Sequence, residues 1–174
     1  MPTLLAALSP VTWDASKCYQ AGVSPAVGTP GVGAWLPSYP DVVIEKQAMS
    51  PFSLYTVGDV ENGPIESLWL WTSEMKTSKG ISIGNSLAQL QAAYPHFDAT
   101  IPSGEVTVYT VEGSVGQLIF ELATPSENGM IWSAAQLGTV QVIHLQLKTE
   151  KAYAISGTSD GLGFCSRSPG MYGG

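Results

Sequence analysis

The chain has 174 residues, 44% of them hydrophobic and only 12% charged, with seven Lys and Arg against fourteen Asp and Glu. That length fits one domain with a full core, and a formal charge of −7 argues against phosphate backbones and anionic membranes, which require clustered cations. No run reaches the ~18 apolar residues of a membrane-spanning helix, so nucleic acid and a membrane span are excluded.

The first eight residues, Met1 to Leu8, have neither the basic start nor the length of a signal peptide. Gly, Ser and Thr stand where charges would be, a balance common in secreted bacterial proteins. The expectation is a secreted or cell-surface protein whose leader is absent from this chain. Residues 1–40 read as an N-terminal belt, because Pro10, Pro25, Pro30, Pro37 and Pro40 alternate with Gly22, Gly28, Gly31 and Gly33 and leave room only for short strands, one of them between Val11 and Tyr19. Residues 41–174 read as the body of a single α+β domain.

Three β-rich runs open that body: Val42–Lys46, Phe52–Val57 and Ile65–Trp71. Asn62-Gly63, between the second and third, suits a two-residue hairpin turn because both residues tolerate positive φ. The one convincing helix follows. Ser86 and Gln89 form a capping-box pair, Leu87, Leu90 and Tyr94 with Ala93 make an apolar stripe, Gln89 and Gln91 turn to water, and Pro95 ends the helix. Glu105–Val111 and Gln117–Leu122 then read as strands around a glycine-containing turn, Thr139–Lys148 as a long strand, and Ala152–Ser156 as an edge strand.

Too short for parallel crossovers, these connections predict an α+β fold of mostly antiparallel sheet in two β-rich halves around one short central helix. A ten-residue helix is marginal alone and must lay its stripe on sheet. Cys18 and Cys165, near opposite ends, would close a loop worth about 5 kcal/mol if bridged, which suits an exported protein; two buried free thiols are the alternative.

The cassette Thr77-x-x-Gly80-Ile81-x-x-Gly84-x-Ser86-x-x-x-Leu90-x-x-x-Tyr94-Pro95, with strands on both sides, resembles one in actinobacterial-type secreted proteins and lipoproteins of unassigned function. It is similar, more distantly, to the helix-then-sheet repeat of the β-lactamase inhibitor protein and of small outer-membrane assembly lipoproteins. The resemblance spans Ile65 to Leu147 and implies a secreted or surface-attached interaction domain without a cofactor. A second helical cassette near the N-terminus and a lipoprotein cysteine, both parts of those patterns, are missing, so no inhibitory target and no interface residue carries over.

One constellation points to catalysis. Gly80-Ile81-Ser82-Ile83-Gly84 fits G-x-S-x-G between a strand and a helix, with Asp98 and His144 following in hydrolase order. Against it, the Ser86 cap starts the helix too late for its amides to form an oxyanion hole, and no crossover helices precede it. His144 and Gln146 alternate with Ile143, Leu145 and Leu147, which predicts a solvent-facing histidine. Ser73-Glu74-Met75-Lys76 matches S-x-x-K without its partner motifs, and Gly157–Gly161 repeats G-x-S-x-G with no helix or histidine after it. His96 with Asp98, and Asp160, lack the ligand sets of zinc and calcium sites, so no metal or cofactor is expected.

Recognition has a simpler basis in the aromatic residues. Trp69 and Trp71 are two apart on a strand and point the same way, which gives a flat platform ~7 Å long; Trp132 lies in a long loop. Exposed, the platform would stack on sugar rings or anchor a protein partner, and buried it would wall the core. The sequence therefore predicts a binding domain without catalytic chemistry, for a protein or a cell-wall glycan, with a small serine hydrolase using Ser82, Asp98 and His144 as the alternative.

Overall fold

The computed structural model describes residues 11–14, 34–37, 42–44, 47–49, 52–56, 62, 64–125, 132–148, 152 and 154. Cys18, Cys165, Asp160 and the second G-x-S-x-G lie outside these residues, as does most of the expected belt. In chain order the elements are β1 (Val11–Asp14), β2 (Ala34–Pro37), β3 (Val42–Ile44), β4 (Gln47–Met49), β5 (Phe52–Thr56), β6 (Ile65–Leu70), α1 (Leu87–Ala93), β7 (Ala99–Ser103), β8 (Val106–Glu112), β9 (Gly116–Ala123) and β10 (Val140–Leu147). The chain divides into two compact units at Leu68/Trp69, within β6.

In the first unit, β1 pairs with β2 and β2 with β5, both antiparallel, and β3 with β4 forms a separate hairpin. Phe52, Leu54 and Thr56 share one face of β5, and all three are buried.

The site lies in the second unit, whose antiparallel sheet runs β6-β10-β9-β8-β7. The last strand in sequence is inserted beside β6 because the loop before the helix is bonded to its start: Gly84 N–H donates to the Val140 carbonyl and Val140 N–H to that of Asn85, each at 2.8 Å. Gly84 makes this approach at φ 89°, a conformation costing an L side chain roughly 1–2 kcal/mol.

Helix α1 begins where the capping box places it. The Ser86 hydroxyl accepts from Gln89 N–H at 3.3 Å while Ser86 N–H donates to Gln89 Oε1 at 2.8 Å. Its C-cap, Tyr94, has left helical geometry just before Pro95. Seven residues do not hold a helix in water; burial of Leu90, with no exposed surface, stabilises it by roughly 2 kcal/mol, and Tyr94 adds a ring contact with Phe120 on β9 at 5.2 Å. The face of Phe120 is thus the helix face of the sheet.

The far face carries Val106, Val108 and Thr110 from β8, Ile119, Glu121 and Ala123 from β9, and Val142, His144 and Gln146 from β10, and all of them are buried. Trp132 and Ala154 complete its apolar cluster, with Leu137 and Ala152 packed alongside. Two strands, β2 and β4, were not anticipated from the sequence, nor was β7, where Thr100, Ile101 and Pro102 are exposed. An edge strand has no second neighbour to bury it, and Pro102 lacks the N–H that a central strand requires.

Candidate binding face

The residues of the hydrolase alternative are held apart. Ser82 is buried, and its hydroxyl donates to Asn85 Oδ1 at 3.3 Å while its own N–H donates to the same oxygen at 2.7 Å. That loop is docked on Val140, four residues from His144 and so about 13 Å along the strand. Asp98 immediately precedes β7, and the register His144–Ile119–Thr110–Ala99 puts three strand spacings, about 14 Å, between its backbone and that of His144. Its carboxylate accepts instead from Glu112 N–H at 2.6 Å.

His144 is not on a solvent face. It has no exposed side-chain surface, and its Nε2 lies 3.3 Å from Oε1 of Glu121, which is equally buried. The alternation was correct but the wet side was misassigned: Thr110, Gln117, Glu121, His144 and Gln146 form a polar band inside the far-face core. The indoles are also interior. Trp69 and Trp71 are 6% and 5% exposed and meet edge to face with centroids 6.4 Å apart, so they present no open platform, while Trp132 Nε1 donates to the Glu105 carbonyl at 3.1 Å within the core. Ser73 and Lys76 are exposed in a turn region. Among the described residues no group of three or more His, Cys, Asp or Glu is placed to hold a metal, and no helix is long and apolar enough to cross a membrane.

The lower part of the helix face is only half-buried. After Tyr94 the chain follows Phe97, whose ring lies 4.9 Å from that of Tyr109, and then enters β7. Beyond that line the register aligns Val111, Leu118 and Leu145 in one row across β8, β9 and β10, and sets Leu147 opposite Gly116 in the next. All four apolar side chains are half-buried, while their far-face neighbours Thr110, Ile119, His144 and Gln146 are buried. No family model, curated protein or solved structure matches the chain. Its function is read from this geometry alone.

Asp98 and Glu112 are both exposed. Glu112 follows Val111 and stands level with Gln117 and Gln146, so it belongs to the far face, where its Oε2 holds Lys148 Nζ at 2.6 Å. That hydrogen bond first, then the charges of Glu112 and Asp98, raise the Lys148 pKa above its ordinary value against a small opposing effect of burial. The alternation of residues 106–111 and 143–147 was visible in the sequence as periodicity. Which of the two faces α1 leaves open depends on how far the helix reaches across the sheet, and that has no local signal.

Proposed function

We propose that this chain is a secreted or cell-surface binding domain without catalytic chemistry, in which two β-rich halves of the chain flank the helix and Cys18 is bridged to Cys165. The observation that supports it best is the half-buried apolar row Val111–Leu118–Leu145, level across β8, β9 and β10, whose burial a protein partner would complete. A protein partner fits this row better than a glycan, because sugar rings favour open aromatic platforms and Trp69 and Trp71 are buried.

The hydrolase alternative asks Ser82, Asp98 and His144 to act together, and the dispersal described above is the argument against it. A nucleophilic serine needs a base within ~3 Å. Treatment of the native protein with a fluorophosphonate probe tests the choice directly. The expected result is no labelling of Ser82 and no p-nitrophenyl ester hydrolysis; labelling that Ser82→Ala abolishes would replace the binding reading with the catalytic one.

A further inference from the structure

We propose that Asn62 is a self-acting modification site, which loses its side-chain amide to the peptide nitrogen of Gly63 and becomes aspartate or isoaspartate, while the fold locks Asn85 against the same reaction. The chemistry needs no partner and is independent of what the chain binds.

The chain has three asparagines, Asn62, Asn85 and Asn128, and the first and last are followed by glycine. Asn128 lies outside the described residues. Asn62 is exposed in the turn ahead of β6. Its carboxamide carbon is tethered within reach of the next peptide nitrogen, and a glycine there has no Cβ to obstruct the approach.

The step balances without an oxidant or a second reactant other than water. The Gly63 nitrogen bonds to Asn62 Cγ, the Cγ–Nδ2 bond breaks, and ammonia leaves with the proton that the Gly63 nitrogen gave up. Water then opens the resulting succinimide at either carbonyl and returns aspartate or, with the main chain rerouted through Cγ, isoaspartate. Either product adds a carboxylate to a chain already at −7, next to Glu61 in the sequence, and the isoaspartyl form also lengthens the backbone leading into β6.

Asn85 is held in the opposite condition. Its Oδ1 accepts from Ser82 N–H at 2.7 Å and from the Ser82 hydroxyl at 3.3 Å, and its Nδ2 donates to Gln89 Oε1 at 3.1 Å. The nitrogen that would attack it, that of Ser86, donates to the same Gln89 oxygen at 2.8 Å as half of the capping box. Electrophile and nucleophile are both tied, so reaction at Asn85 requires the start of α1 to open.

The test incubates the full chain at body temperature in neutral and mildly alkaline buffers, beside the free peptide Val-Glu-Asn-Gly-Pro-Ile. Peptide mapping with fragmentation spectra assigns each change to a residue. Asn62 is expected to gain about 1 Da as fast as the free peptide does, and about tenfold faster for each pH unit, because the attacking nitrogen must first shed its proton. Asn85 should stay intact over the same period and react at least about tenfold faster once urea has unfolded the chain. Methyl transfer by an isoaspartyl O-methyltransferase detects the isoaspartyl product, and the part due to this site disappears in Asn62→Ser.

An Asn62 that survives in the folded chain after most of the peptide has converted overturns the proposal. So does an Asn85 that reacts as fast as Asn62 in the native protein. An Asn85 equally slow in urea overturns it too, since protection would then come from the Ser86 side chain and not from the fold.

Discussion

At the scale of single residues, the Glu121–His144 contact is the sharpest departure from expectation. Both side chains have no exposed surface and approach to 3.3 Å, in a band with Thr110, Gln117 and Gln146. A buried polar group whose partner is removed keeps its desolvation cost and loses its compensation. Glu121→Leu and His144→Leu should therefore each destabilise the fold by about 2–3 kcal/mol, read from urea midpoints at constant slope. The double variant should cost less than the sum of the two, because neither partner is then left alone in the core. Additive losses would mean that the contact contributes nothing and that each residue is held by other neighbours.

At the scale of elements, the amount written locally in the chain varies with what the element depends on. Ser86, Gln89 and Pro95 set both ends of α1 through bonds made within a few residues, so the helix was legible. Strands β8 and β10 were legible as periodicity, because alternation survives whichever face is wet. The wet face was not: residues 143–147 carry no local signal of which side the rest of the chain covers, and His144 is buried. For the same reason Trp69 and Trp71 were legible as a pair on one side, and their burial was not. β7 was invisible because Ala-Thr-Ile-Pro-Ser lacks alternation and contains a proline, both tolerated only at an edge. The helix offers a clean check of the local part. Ser86→Ala removes the acceptor for Gln89 N–H and should cost about 1 kcal/mol, seen as a lower urea midpoint with no change in Phe120–Tyr94 packing by near-ultraviolet circular dichroism. No loss at all would show that the Ser86 hydroxyl does not set the helix start.

At the scale of the whole molecule, composition and cysteine placement bear on where the chain works. With 12% charged residues and 19 glycines, the chain has few groups for surface ion pairs, and the exposed pair Glu112–Lys148 is worth little by itself. A covalent tie between Cys18 and Cys165 would compensate by restricting the unfolded chain over most of its length, about 5 kcal/mol in the chain-entropy account. For a domain of this size each kcal/mol moves the melting temperature by roughly 2–4 °C, so reduction of the native protein should lower Tm by about 10 °C or more. Cys18→Ser should lower it as far, and reductant should then have no further effect. A melting temperature indifferent to reductant, with both thiols reacting once the protein is unfolded, would show that the cysteines are not bridged and would remove the main physical reason for reading the chain as exported.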